Sequence, residues 1–315
     1  MGRSSWHSAQ CSNDKKNLNS VTVEKQSNIT VLYPNKQSFN QKMSRFVKGG
    51  SKKLTVVSDF DFTMSRFRIG DARAASCHRL IEGSGFLPEH IVHQADALFN
   101  YYYPLEISTA ITHEEKVKHM TQWATRAAEL MVESGLKKSE IKLAVSEALK
   151  SKSFGLRDEV PSFFRTLTSK EVPVLLFSAG IGDIIEETLV QVLGEVPSDV
   201  HVVSNHMKFK GEKLVGWTEP VFHVFNKRAT AALHSPFFKK YDLEHRNNVL
   251  LIGDSMGDIA MSEGLNCSEE SVIRVGFLND KVERLPDYLA VYDVVILGDP
   301  SFGVVNSIVN DIVKK

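Results

Sequence analysis

The chain has 315 residues, enough for one large domain or two modest ones, and its 38 Lys+Arg balance 38 Asp+Glu. That neutrality removes the electrostatic argument for a nucleic-acid or acidic-membrane partner, and no apolar run approaches the ~20 residues needed to cross a bilayer. The three cysteines, Cys11, Cys77 and Cys267, form no C-x-x-C and read as reduced thiols of a cytoplasmic protein.

Residues 1–50 are rich in Ser, Asn, Gln and Lys and lack apolar periodicity, so a flexible leader is expected there. The β-branched run at 54–57 then predicts a buried strand leading into D-F-D-F-T (59–63). In an open α/β sheet, ligands bind beyond the carboxyl ends of the strands, which is where Asp59 and Asp61 fall. From about 70 to 150 the pattern is helical, with no convincing strand: 87–103, 114–134 and 137–150, with Thr112 and Glu115 as a capping box. Helices inserted directly after the first strand predict a helical cap over 69–154, above an α/β core made of 51–68 and 155–315.

An α/β rhythm follows. Helices are predicted at 161–170, 181–193, from 227 to 233, at 256–264 and at 303–313. Strands are predicted at 172–177, 200–204, 249–252, 271–275 and 291–297, with a hairpin around 210–212. The fold class is α/β: a mostly parallel sheet with helices on both faces.

Two further strand ends carry polar groups. In V-L-L-F-S-A-G-I-G (174–182), Ser178 offers a hydroxyl, while Ala179 and Gly180 let a ligand approach the backbone. Free N–H groups at a helix start there suit a phosphate; a plain Ser/Gly turn is the blander alternative. In L-L-I-G-D-S-M-G-D (250–258), Asp254 and Asp258 lie four apart and can face one site from a helix start. An N-cap role would explain Asp254, but not the second acid.

Four carboxylates at the ends of two strands repel one another unless compensated. A hard cation with few protein oxygens and several waters fits Mg²⁺, and Lys227, in F-N-K-R, is the candidate lysine. Together these groups point to phosphoryl transfer. Asp59 would be the nucleophile and Asp61 the acid and base, with Mg²⁺ and Lys227 offsetting the charge of the transferring group.

D-F-D-F-T, F-S-A-G, a lysine and G-D-S-M-G-D, in that order, resemble the four motifs of the haloacid dehalogenase (HAD) superfamily of Mg²⁺-dependent phosphatases. Longer stretches resemble the cytosolic 5′-nucleotidase III, or pyrimidine 5′-nucleotidase, family over roughly 52–314. They are D-F-D-F-T-M-S-R-F (59–67), F-S-A-G-I-G-D (177–183), V-S-N (203–205), H-V-F-N-K (223–227), G-D-S-M-G-D (253–258) and G-F-L-N-D (276–280).

The resemblance implies a modified Rossmann core with an inserted helical cap. It implies Mg²⁺ held by Asp59, the Asp61 carbonyl and Asp254, with Asp258 supporting the metal site. Phosphate contacts would come from Ser178, Ala179 and Lys227, with Thr63 and Gly180 also among the substrate-binding residues. The implied activity is hydrolysis of nucleoside 5′-monophosphates, pyrimidine ones such as CMP and UMP or 7-methyl-GMP, through an aspartyl-phosphate.

In the cap, Y-Y-Y-P-L-E (101–106) resembles the segment whose glutamate contacts the base, here Glu106. Trp123 is placed either to stack on a base or to fill a helical core. Four residues on, where the family can carry a serine that contacts 7-methylguanosine monophosphate, this chain has Ala127, which leaves the base preference open. A phosphatase for another small phosphomonoester and a non-catalytic phosphate-binding protein are the alternatives. A monomer is expected rather than an obligate oligomer.

Overall fold

The computed structural model describes residues 21–26, 29–108, 110–229 and 235–314. Its centre is β3 (Leu54–Ser58), which lies parallel between β6 (Val174–Ile181) and β10 (Asn248–Gly253). All of β3 and β10 is buried, as expected for strands covered on both faces. Successive side chains serve opposite faces. Val56 and Leu250 join one apolar cluster, and Val57 and Leu251 the other.

The parallel set is extended by β7 (Val200–Asn205) beside β6, and by β11 (Val272–Leu278) and β12 (Val294–Leu297) beyond β10. One cluster packs α1 (Lys36–Gly49), α6 (Val160–Ser169), α7 (Gly182–Leu193) and α10 (Gly303–Val313) against the sheet. The other holds Tyr288 and Tyr292 from α9 (Leu285–Val291) and its exit. Ile252 pairs with Ser58 and Leu176 with Ser58, so three strands end side by side. Asp59 and Asp254 follow β3 and β10 directly, and Ser178 lies in β6 just past its last pairing with β3.

The flexible leader expected over 1–50 is corrected for its described part. β1 (Thr22–Gln26) and β2 (Ile29–Tyr33) form an antiparallel pair that joins the main sheet through β12. Asn35 caps α1, accepting from the Ser38 N–H at 2.9 Å, and Phe39 and Phe46 of α1 are buried. Composition hid this unit because its apolar partners, β12 and α10, lie more than 250 residues downstream. Residues 1–20 lie outside the described residues.

Between β3 and β6 run α2 (Cys77–Glu82), α3 (Glu89–Ile107), α4 (His113–Glu133) and α5 (Lys138–Lys150). The Thr112–Glu115 capping box opens α4. A short hairpin of β4 (Arg68–Ile69) and β5 (Ala72–Arg73) precedes them, and the sequence pattern missed it. The hairpin of β8 (Met207–Lys210) and β9 (Lys213–Trp217) braces α4, with the Trp217 indole donating to the Ala128 carbonyl at 2.9 Å.

Other boundaries differ as well. The expected helix at 256–264 is a 3-10 turn over Met256–Ser262, because Asp258 folds back to cap its own start. The expected strand at 291–297 begins only at Val294, since α9 runs to Val291. Lys227 and Arg228 are not helical, and 230–234 lie outside the described residues. Among the described residues no helix is long and apolar enough to cross a membrane.

Candidate active site

Asp59 follows β3 directly and is only 3% exposed. Its Oδ1 accepts from Lys227 Nζ at 2.5 Å and its Oδ2 from the Thr63 hydroxyl at 3.1 Å. Asp61, two residues on, accepts the Cys77 N–H at 3.0 Å from the start of α2. Between these two acids and Thr63 the chain makes a tight loop in which Phe62 is left-handed, φ 63°. A non-glycine residue there costs about 1–3 kcal/mol, so the surroundings must hold it.

They do so with a buried arginine. Arg157, 1% exposed, donates Nη2 to the Phe62 carbonyl and Nε to the Thr63 carbonyl, each at 2.7 Å. Its Nη1 pairs with Asp299, Nη2 also reaches Asn279 Oδ1 at 2.6 Å, and its guanidinium lies 4.2 Å from the Phe277 ring centre. Burial lowers its pKa to about 10 despite Asp299 and Asp254. Asn279 Nδ2 adds a bond to the Phe62 carbonyl at 3.0 Å and a long one, 3.4 Å, to Asp254 Oδ2.

At the end of β6, pairing with β7 is irregular between Phe177 and Ile181. Ser178 is buried there, and its Oγ accepts the Gly180 N–H at 3.0 Å. A Cβ on Gly180 would stand 2.9 Å from Asp61 Oδ2 and 3.1 Å from Ser178 Oγ, so only glycine lets this backbone pass between them. V-S-N (203–205) has a mechanical role. Ser204 Oγ and Asn205 Nδ2 donate to the Gly180 and Ala179 carbonyls, both at 3.0 Å.

Asp258 is fully buried. Its Oδ2 accepts from the Asp254 N–H at 3.1 Å, the Ser255 N–H at 2.9 Å and the Ser255 hydroxyl at 2.8 Å. Its Oδ1 accepts from Lys227 Nζ at 3.1 Å. Tyr288 and Tyr292 hydroxyls hold the Asp254 and Ser255 carbonyls from behind.

Carboxylate oxygens of Asp59, Asp254 and Asp258 lie within 4.8 Å of one another, an acidic cluster able to hold a metal ion. Burial raises Asp59 to about 7, against Lys227, and raises Asp254 well above its usual range, with Asp59 and Asp258 adding to it. Burial opposes the charge on Lys227, but Asp258 and Asp59 more than offset that and raise its pKa, so the lysine keeps its proton. Three acids face one ammonium. Asp258 spends both oxygens on four donors, which leaves Asp59 and Asp254 as the groups with lone pairs to give. That oxygen donor set fits a hard divalent cation.

The three loops floor a cleft of about 780 Å³ that also takes in Asp61, Lys227, Phe99, Tyr103, Glu106 and Trp123. It adjoins a chamber of about 220 Å³ lined by Met120, Ala124, Ala127, Ala128, Met131 and Trp217. Trp123 lines both, stacked parallel to Tyr102 at 5.9 Å with Phe99 at its edge, 6.1 Å. Burial raises the Glu106 carboxyl, and Lys227, Lys116, Lys281 and Arg284 ease the rise.

All the residues singled out in the sequence therefore lie on one cleft or in its wall. Arg157 and the Cys77 N–H were missed as site groups. Arg157 carried no signal, since its partners are remote in sequence, whereas Asn279 lay within a quoted motif without an assigned task.

A sequence profile described as Pyrimidine 5′-nucleotidase (UMPH-1) matches residues 62–313. The 7-methylguanosine phosphate-specific 5′-nucleotidase A of Xenopus laevis is 36% identical over 288 residues, covering 91% of this chain and 97% of the relative. The human 7-methylguanosine phosphate-specific 5′-nucleotidase is 38% identical over 267 residues, 84% of this chain and 86% of its own. The crystal structure of cytosolic 5′-nucleotidase IIIB bound to cytidine superposes with a TM-score of 0.80 at 30% identity, covering 91% of this chain and 94% of that one. A HAD family hydrolase from Salmonella enterica shares the fold, with a TM-score of 0.51 at 13% identity over 82% of this chain and 72% of its own.

Proposed function

The chain belongs to the pyrimidine 5′-nucleotidase family, and from that premise we propose that it hydrolyses nucleoside 5′-monophosphates to nucleoside and phosphate. The substrates we assign are pyrimidine nucleotides such as CMP and UMP, 7-methyl-GMP, or both. One observation carries this reading. A buried Asp59 held by a lysine lies on the same cleft as Glu106 and the stacked ring of Trp123, and that cleft opens into an apolar chamber. Phosphate chemistry and a place for a flat base are thus continuous. The carboxylate of Glu106 suits the amino group of cytosine or the positive charge of 7-methylguanine.

The reaction follows from the side chains. Lys227 and Thr63 fix the two oxygens of Asp59, one of which attacks phosphorus. As the P–O5′ bond breaks, the nucleoside oxygen takes a proton from Asp61. Burial raises that carboxyl, against its bonds to Cys77, and so favours the proton-carrying form. The aspartyl-phosphate is then attacked by water, Asp61 takes the water's proton, and phosphate leaves with Asp59 restored. Ser178, Ala179, Gly180 and Lys227 receive the phosphoryl oxygens. Asp59, the Asp61 carbonyl and Asp254 would hold Mg²⁺, with Asp258 bracing the site. Bound there, the ion supplies charge neutralisation for the transferring phosphoryl group.

We also assign activity to the monomer, acting in the cytoplasm with the helices of 69–154 as its base-reading cap. The test is phosphate release from CMP, UMP, dCMP, AMP, GMP, 7-methyl-GMP, phosphoserine and glucose 6-phosphate, with Mg²⁺ and with EDTA. Mg²⁺-dependent release from the pyrimidine or 7-methylguanine nucleotides is expected. Release mainly from the non-nucleotides would overturn the assignment of the substrate.

A further inference from the structure

A nucleoside 5′-monophosphate presents phosphate, sugar and base in line. With phosphate at Asp59 in the cleft of about 780 Å³ and the base against Glu106 and Trp123, which line both that cleft and the chamber of about 220 Å³, its sugar lies between them, at the approach to the junction of the two spaces. The charged, hydroxyl or imidazole side chains that line both spaces are Ser76, His78, Arg79 and Glu106. Three are already committed. Ser76 Oγ caps α2, accepting the Arg79 N–H at 3.4 Å. Arg79 is paired with Asp96 and, at 3.1 Å, with Glu82, and it lies 4.7 Å from the Phe99 ring centre. Glu106 has the base.

His78 is left. Among the described residues its imidazole has no hydrogen-bond or ion-pair partner, although its place in the chain is tightly set. It follows Cys77, whose N–H donates to Asp61 at 3.0 Å, so it stands one residue from the contact that holds the proton donor. Burial, with Arg79 adding, lowers its pKa to about 4, so the ring is neutral at physiological pH. A neutral imidazole offers one donor and one acceptor, the same pair that a sugar hydroxyl offers in return.

We propose that His78 reads the sugar: its imidazole exchanges a hydrogen bond with one of the two ribose ring hydroxyls, which makes the enzyme selective for ribonucleotides. This rests on the nucleotidase reading above, and its test separates the two. The measurement is kcat/KM for the best nucleotide of the panel and for its 2′-deoxy and 3′-deoxy analogues, with the unaltered enzyme, His78→Phe, His78→Ala and His78→Gln.

The unaltered enzyme should disfavour one deoxy analogue by about three- to tenfold, the range set by one hydrogen bond. His78→Phe and His78→Ala should bring that ratio close to unity, and His78→Gln, which keeps a donor and an acceptor, should restore part of it. Because the readout is a ratio on one protein, a general loss of folded enzyme cancels. An unaltered enzyme that treats all three sugars alike overturns the proposal without any variant. So does a preference that both His78→Phe and His78→Ala retain in full. In either case the nucleotidase reading stands. Failure to release phosphate from any nucleotide would overturn both.

Discussion

Asp59 shows how much of a reaction one residue's surroundings dictate. Its two oxygens are held by a buried ammonium and a buried hydroxyl, so the carboxylate is oriented before anything binds. Asp59→Asn keeps the shape and can still accept from Thr63, while Lys227 keeps Asp258 as a partner. Turnover should fall by a factor on the order of 10⁴ or more, the scale seen when a nucleophile is lost, with the melting temperature little changed. Phosphate release and thermal unfolding on one preparation decide it. A variant with near-normal turnover would remove Asp59 from the chemistry. At this scale the sequence was readable where acids directly follow an apolar strand, as at Asp59, Asp61 and Asp254. It was unreadable at Arg157, whose partners stand 94 residues away at Thr63 and 142 away at Asp299.

Among the elements, the loop after β3 is held from outside by a single guanidinium. Arg157 ties the Phe62 and Thr63 carbonyls to Asn279 and to the segment at 299–300 that precedes α10. Lysine at this position would keep the charge but not the fork, leaving buried carbonyls unpaired. Arg157→Lys should therefore cost about 2 kcal/mol of stability, on the scale of leaving buried acceptors unsatisfied. Its kcat should drop more than its KM rises, because the left-handed Phe62 relaxes and Asp61 loses its aim. Urea unfolding and steady-state kinetics test both parts, and a variant as stable as the original would show that the loop holds itself. The legibility of the elements follows the same logic. β3 and β10 declare themselves because both faces are buried and each carries a run of apolar or β-branched residues. β1, β2 and α1 do not, because what buries them is β12 and α10 at the far end of the chain.

Across the whole molecule, two sets of buried groups pull stability in opposite directions with pH. Burial lowers His223 to about 4, so the unfolded chain binds the extra proton between about pH 4 and 6.5 and stability falls as pH drops through that window. The Asp59 carboxyl, raised to about 7 by burial, works the other way. Without metal the folded protein binds the extra proton between about pH 4 and 7, so this contribution is lost as pH rises. A divalent cation on Asp59 and Asp254 needs both deprotonated, so it competes with those protons. Mg²⁺ should therefore raise the melting temperature more at about pH 8 than at about pH 5.5, by about 5 °C at saturating metal. The measurement is thermal unfolding with Mg²⁺ and with EDTA at both pH values. Asp254→Asn, which removes one donor, should flatten the difference. An equal gain at both pH values, or a larger one at the acid end, would mean that the ion binds away from the carboxylates at the ends of β3 and β10.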